Sequence, residues 1–266
     1  MTERIVVVGA GLAGLRAAER VRELGFGGEL VILGAEPGMP YHRPALSKQV
    51  LTGEIEPAGT RLAAFGDVDA QWRLDTAAVH LQPGRQVLHL PGAEELRYDG
   101  LVIATGVEPR RLAEVPHGHP RVVVLRTLAD AVTLHQGLAG TTGPVAVLGG
   151  GFIGCEVASS LRAMNRDVAI IDRSHTLLGD ELGAEVGARL TAVHAAHGVR
   201  LELGTSIRRW RLEPTGLGIE LIDGRTLEVE CAVVALGTVP AVSWLRGAKL
   251  PLDDGVVCGP TCHVLG

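Results

Sequence analysis

The sequence predicts an α/β fold built from two parallel-sheet βαβ units, the second a repeat of the first. Three observations predict it. A glycine signature occurs twice, as Gly9-x-Gly11-x-x-Gly14 and as Gly149-x-Gly151-x-x-Gly154. Each copy follows a short apolar run, Ile5–Val8 or Val145–Leu148, and opens into an Ala- and Leu-bearing helical segment. An acid, Glu36 or Asp172, stands about 20 residues beyond the last glycine in both. The pattern is that of Rossmann-like dinucleotide-binding units.

The elements follow in order. Strand 5–8 leads through the first glycine turn to a helix from about Leu12 to Leu24, stopped by Gly25, and then to strand Leu30–Leu33. In the second copy, strand 145–148 leads to a helix from about Phe152 to Met164 and then to strand Val168–Ile171. The first glycine permits a tight turn, the second lets backbone approach a diphosphate, and the third lets helix and strand pack closely. The phosphates meet the unpaired N–H groups of the helix start, and the acid accepts from a ribose hydroxyl.

The repeat extends further. Leu101–Pro109 and Ala232–Pro240 are both apolar strands ending in Gly-x-x-Pro, and each is preceded by alternating residues broken by Gly or Asp, around 86–99 and 219–230. These stretches read as β-hairpins or meanders. The first copy also carries an irregular, Pro-rich insert between Glu36 and about Val79, containing Pro40-Tyr-His-Arg-Pro-Ala-Leu-Ser-Lys48. Its counterpart, 173–196, reads as a loop and one amphipathic helix with Leu182, Val186, Leu190 and Val193 on its apolar face. An insert in one copy alone indicates that the two sites do different work.

Composition sets bounds. The 266 residues carry a formal net charge of −5, with 46% hydrophobic, 21% charged and 3% aromatic residues, which argues against a nucleic-acid partner. No segment approaches the roughly 20 apolar residues of a membrane helix. The start, Met-Thr-Glu-Arg, has neither a basic nor a long apolar leader region, so a cytoplasmic protein is expected. Cys155, Cys231, Cys258 and Cys262 form no C-x-x-C pair and are expected to be buried, reduced thiols. His194 and His197, at i and i+3, lack a third metal ligand nearby and are expected to face solvent at a helix end; no metal site is expected.

Five motifs occur in order: Gly9-x-Gly11-x-x-Gly14, Pro40-Tyr-x-Arg43-Pro-x-Leu-Ser-Lys48, Ala104-Thr105-Gly106, Leu125-Arg126-Thr-Leu-x-Asp130, and Gly149-Gly-Gly-Phe-Ile153-Gly154-x-Glu156. Together they resemble the FAD-dependent NAD(P)H reductases of ferredoxins and rubredoxins, the putidaredoxin reductase type of the pyridine nucleotide-disulfide oxidoreductase fold. The resemblance implies two Rossmann-like domains, the NAD(P)H-binding one (111–240) inserted within the FAD-binding one (1–110 and 241–266). It implies that Gly9, Gly11 and Gly14 cradle the FAD pyrophosphate, that Glu36 takes its ribose and that Val79 touches adenine through its backbone. Arg43 and Lys48 then reach the flavin and phosphate region, Ala104, Thr105 and Gly106 close over the cofactor, and Arg126 adds a charge contact. Gly149, Gly151, Ile153 and Gly154 hold the nicotinamide dinucleotide, with Asp172 on its ribose and Gly237 in the cleft. Glu156 lies near the nicotinamide beside Lys48, and these two are the residues implied in catalysis.

Duller readings stand beside these. Arg43 and Lys48 read equally as surface charges, Glu156 as a solvated helix residue, and Arg126 as a partner of Asp130. A cation beside a flavin would, however, favour its anionic reduced form.

The resemblance further implies electron transfer from NADH through FAD to a ferredoxin- or rubredoxin-type acceptor serving a P450 or oxygenase. Pro37 stands where disulfide-reducing relatives carry a cysteine, so no thiol relay is implied. Asp172 favours NADH, while adjacent Arg173 leaves NADPH open. The segment from Asp253 to Gly266 resembles the lead-in to the family's second FAD signature, which the sequence does not reach, so a C-terminally truncated reductase is implied. Two alternatives remain: a non-catalytic remnant, and an NADH oxidase of the apoptosis-inducing-factor-like or nitrite-reductase-associated type.

Overall fold

The computed structural model describes residues 3–63 and 68–265. Met1, Thr2 and Gly266, on which the reading of the two ends drew, lie outside the described residues. The chain divides into two compact units: Met1–His42 with Arg61–Glu108 and Val239–Gly266, and Arg43–Thr60 with Pro109–Thr238. The sequence reading counted 43–60 with the first unit, whereas these residues pack with the second.

In the first unit, β1 (Arg4–Val8) pairs in parallel with β2 (Glu29–Leu33) on one side and, on the other, with a later strand, Gly100–Ile103. Its run of β-branched residues suits a central strand covered on both faces. Helix α1 (Leu12–Glu23) connects β1 to β2 and ends at Gly25, whose φ of 85° closes a Schellman cap: Gly25 N–H donates to Arg22 O and Phe26 N–H to Val21 O. A short edge strand, β3 (Gln71–Arg73), lies against β2. The meander is β4 (His80–Gln82), β5 (Val87–His89) and β6 (Glu95–Arg97), followed by β7 (Gly100–Ile103) and β8 (Val107–Pro109). The parallel sheet runs β3-β2-β1-β7. Period-two alternation sends Val6, Val8, Val31 and Leu33 toward Leu81, Leu88 and Leu96 of the meander. Val7, Leu30 and Ile32 face Ala18 of α1.

The second unit repeats this plan. It begins with α2 (Gln49–Thr52), then β9 (Val122–Val124), α3 (Leu128–Leu138), β10 (Val145–Leu148), α4 (Phe152–Ala163) and β11 (Val168–Ile171). There follow α5 (Gly179–Leu182), α6 (Ala184–Ala196), β12 (Val199–Glu202), the meander β13 (Ile207–Leu212), β14 (Leu217–Leu221) and β15 (Thr226–Val229), then β16 (Cys231–Val234) and β17 (Thr238–Pro240). The parallel sheet runs β12-β11-β10-β16-β9. One face, with Val145, Val147, Ile170 and Val233, packs on Val157 and Leu161 of α4 and on Leu51 of α2; the other, with Ala146, Leu148 and Ile171, packs on Leu217, Ile219 and Leu227. Even the helix cap recurs, with Asn165 (φ 58°) where α1 has glycine: Asn165 N–H donates to Arg162 O and Arg166 N–H to Leu161 O. The buried Arg166 side chain then donates to Gly143 O (2.7 Å) and to Glu230 Oε2 (3.0 Å), and Glu230 also accepts from Gly143 N–H (2.9 Å). Strands β8 and β17 form a two-stranded sheet, and β18 (Leu252–Asp253) pairs with β19 (Gly255–Val256) in the last segment.

Three expectations are corrected. The helix expected after Asp172 is broken at Gly183 (φ 82°), which separates α5 from α6, and of its presumed apolar face only Leu190 packs on the core, while Leu182, Val186 and Val193 are exposed. The face that docks is made of small and polar residues. A Cβ on Gly187 would stand 2.8 Å from Leu177 O, and Thr191 Oγ1 accepts from Leu177 N–H (2.9 Å), so close backbone approach replaces side-chain burial. On the same side His194 is half-buried rather than solvent-facing, and burial, then His197, lowers its pKa. Finally, Cys155 and Cys231 are buried, but Cys258 and Cys262 are exposed, in a segment whose short strands supply little to cover them. Among the described residues no helix is long and apolar enough to cross a membrane.

Candidate functional site

Both glycine turns are built the same way, each within its own unit. Gly9 and Gly149 have φ of 118° and 107°, and a Cβ on either would stand 2.1 Å from Ala104 O or 2.3 Å from Ala235 O. A Cβ on Gly14 or Gly154 would stand 1.8 Å from Gly9 O or 1.9 Å from Gly149 O. First and third glycines therefore carry the packing, and no side chain fits either. Gly11 is open, with nothing within 4 Å of its Cβ position, and at Gly151 the nearest atom is Glu181 Oε1, at 3.4 Å. Neither α1 nor α4 has a side-chain N-cap, and neither has an acid in its first turn. Each turn thus presents bare N–H groups over an uncluttered glycine, the arrangement a diphosphate fits.

The two acids are engaged differently. Glu36 Oε2 accepts from Tyr41 O–H (2.7 Å). Asp172 Oδ2 accepts from Gly150 N–H (2.5 Å) and its Oδ1 from Ser174 N–H (2.7 Å), so this carboxylate braces the glycine turn and closes an Asx-turn. The Asp-x-Ser spacing carried that signal, and the sequence reading passed over it.

Elsewhere in the first unit, Ala104 N–H donates to Val8 O. Thr105 Oγ1 donates to Ala241 O (2.8 Å), and Gly106, with φ of 68°, accepts from Ala241 N–H (3.0 Å). Val79 is exposed, and its N–H is already committed to His89 O (2.9 Å).

In the second unit a cavity of about 750 Å³ opens beside the turn, within the range of small-molecule sites. Gly149, Gly151, Ile153, Glu156, Asp172 and Gly237 all line it, whereas Gly154, expected with them, and Lys48 are not in its lining. Arg43 and Arg126 line it too, and Arg43 donates to Arg126 O (2.9 Å). Arg126 N–H and Thr127 N–H donate to Asp130, which completes a capping box with Thr127 at the start of α3. Asp130 thus serves the helix end, through backbone donors.

Glu156 is gripped at both oxygens. Lys48 Nζ lies 2.6 Å from Oε1, and Ser47 Oγ donates to Oε2 (2.5 Å). Ser160 Oγ in turn donates to Ser47 O (2.7 Å), fixing the insert to α4. Lys48 also donates to Pro44 O (3.2 Å). Ser47 is buried and in contact with the acid, a role its place in the Pro40–Lys48 motif does not by itself reveal.

Two parallel-sheet units, each with a diphosphate-type glycine turn and an acid after the next strand, define a double dinucleotide-binding α/β protein. The chain belongs to the pyridine nucleotide-disulphide oxidoreductase family, whose model matches residues 3–264. Among its relatives, the ferredoxin reductase component of chlorobenzene dioxygenase from Cupriavidus sp. (strain PS12) is 33% identical over 259 residues, covering 97% of this chain and 63% of the relative. The ferredoxin–NAD(+) reductase component of the p-cumate 2,3-dioxygenase system of Pseudomonas putida is 36% identical over 257 residues, covering 95% and 62%. The crystal structure of the covalent putidaredoxin reductase–putidaredoxin complex superposes with a TM-score of 0.89 at 29% identity, over 96% of this chain and 63% of that one. The chain thus spans less than two thirds of the length of these relatives.

Proposed function

We propose that this chain is the dinucleotide-binding part of an NADH-dependent flavoprotein reductase that passes electrons to a ferredoxin-type iron–sulfur protein. The observation that carries the reading is the pair of glycine turns with matching close contacts, each with an open second glycine, in a chain whose relatives include ferredoxin reductases. In the first unit, Gly9, Gly11 and Gly14 would hold the FAD diphosphate and Glu36 its ribose, with Ala104, Thr105 and Gly106 alongside. In the second, Gly149, Gly151 and Gly154 would hold the NADH diphosphate, Asp172 the ribose hydroxyls, and Glu156 the nicotinamide end.

A bound flavin would supply the conversion of a two-electron donor into single-electron transfers. What the chain's own residues contribute is orientation. Asp172, held by two main-chain donors, presents its remaining lone pairs as acceptors, which suits the 2′-hydroxyl of NADH and repels a 2′-phosphate. Glu156 is held at both oxygens by Lys48 and Ser47, so an amide donor entering the cavity meets a positioned acceptor.

The test is a flavin absorbance spectrum of the purified protein, followed by NADH-dependent reduction of a one-electron acceptor with and without an added ferredoxin. A flavin spectrum and turnover with NADH support the reading. A colourless protein that neither takes up FAD nor oxidises NADH refutes it.

A further inference from the structure

We infer that Glu181 is an affinity-determining residue of the second unit's cavity, a carboxylate placed over the glycine turn that an incoming diphosphate must displace. The inference deepens the assignment of this cavity to NADH and rests on it. Glu181 lies on α5, a single turn bounded by two residues of positive φ, Leu178 (56°) and Gly183 (82°). Leu178 anchors one end: its side chain is buried and its N–H donates to Gly150 O (3.0 Å). No residue of α5 itself is buried, so the turn projects over the cavity, with Gly179, Asp180 and Glu181 in its lining.

The position of the charge is set by geometry and felt by a neighbour. Glu181 Oε1 stands 3.4 Å from the Cβ position of Gly151, the open glycine of the turn. On the first turn of α4, burial pushes the Cys155 thiol up to about 11, and the largest electrostatic contribution to that rise is Glu181, ahead of Asp172 and Glu156. Among the described residues the Glu181 side chain has neither a hydrogen bond nor an ion-pair partner. The start of α4 has no side-chain cap and no acid of its own in its first turn. A carboxylate over those N–H groups stands where a diphosphate would seek them. The two anions compete, and the affinity for the dinucleotide is set below what the turn alone would give.

The experiment is titration of the purified protein with NADH at low and high salt, for wild type, Glu181→Gln and Glu185→Gln. Glu185 removes the same charge four residues away, from an exposed pair with Arg189 outside the cavity. The expected result is that E181Q binds NADH about two- to tenfold more tightly at low salt, that the gain shrinks at high salt, and that E185Q matches wild type. Unchanged or weaker binding by E181Q overturns the inference, as does an equal gain in E185Q, which would make net charge the cause. If wild type binds no NADH, the assignment of the cavity falls and takes this inference with it. Binding that E181Q leaves unaltered removes the inference alone.

Discussion

Replacing Gly154 and Gly151 by alanine separates the packing role of the third glycine from the binding role of the second. A Cβ on Gly154 would sit 1.9 Å from Gly149 O, short of ordinary contact by about 1.5 Å. The turn cannot recede, because Gly149 is itself pressed against Ala235 O, where a Cβ would stand at 2.3 Å. Helix α4 must move instead, against buried Val157 and Leu161. Overpacking of this kind costs about 1–3 kcal/mol, and helix propensity returns at most about 1 kcal/mol for glycine to alanine. With both sides of the contact fixed, a net loss of about 2 kcal/mol is expected, or roughly 4–8 °C in Tm for a unit of this size. Gly151 is different: its φ of −78° suits alanine, and its Cβ position is open but for the end of one flexible side chain. Gly151→Ala should cost about 0.5–1 kcal/mol as an N-cap change while weakening NADH at least about tenfold, because the methyl stands where backbone and phosphate must meet. Thermal unfolding and NADH titration of both variants read the two effects apart. A G154A protein with wild-type Tm, or a G151A protein with wild-type affinity, would refute the reasoning.

Three further outcomes follow from the second unit and the cysteines. Arg166→Met removes the nearer of two cations beside the largely buried Glu230, leaving Arg121 3.8 Å away, and takes a donor from the Gly143 carbonyl, so the denaturation midpoint should fall by the equivalent of about 3 kcal/mol. Ser47→Ala removes a buried donor to the Glu156 carboxylate; a loss of about 1.5–3 kcal/mol in chemical denaturation is expected, whereas a loss below about 0.5 kcal/mol would show the contact to be incidental. Cys258 and Cys262 should react promptly with a thiol reagent at pH 8, and Cys155 and Cys231, both pushed up to about 11 chiefly by burial, only on unfolding. Because folding raises these two values from about 9, their contribution to stability is complete below pH 9 and is lost as pH climbs through about 11. A stability curve flat across that interval would contradict the assignment.

Much of the fold was legible because one physical requirement wrote itself twice. A β-branched run, a tight glycine turn and an apolar helix can hardly be arranged otherwise, and the Gly-x-x-Pro strand ends repeated the message. What escaped was set by close approach rather than by hydrophobicity. Val186 and Val193 carry the helical period of a buried face, yet Gly187 and Thr191 do the docking, since a helix that comes within contact of Leu177 O has room for nothing larger. The edge strand β3 is short and half polar, and Asn165 supplies a left-handed cap where the other copy has glycine, so neither gave a strong signal. At the site, Glu156 and Lys48 were legible through a motif. The grip of Ser47 on Glu156 depends on an insert folding back across more than a hundred residues, which no local pattern encodes.

The two acids show where the copies part company. Duplicating a βαβ unit duplicates its phosphate cradle, because that cradle is main chain held by glycine packing, and the structure repeats it to within 0.2 Å at both critical contacts. A cradle of this kind recognises a diphosphate and nothing more, so it cannot by itself assign one copy to one dinucleotide. Asp172 is tied to the backbone of its own turn through Gly150 and Ser174, whereas Glu36 meets the Tyr41 phenol at the start of the insert. The insert itself supplies Ser47 and Lys48 to the second unit's Glu156. On the proposed reading, discrimination between dinucleotides therefore resides in side chains beyond the glycine turn and in what those side chains meet, and a change there should alter which dinucleotide is held without disturbing the cradle.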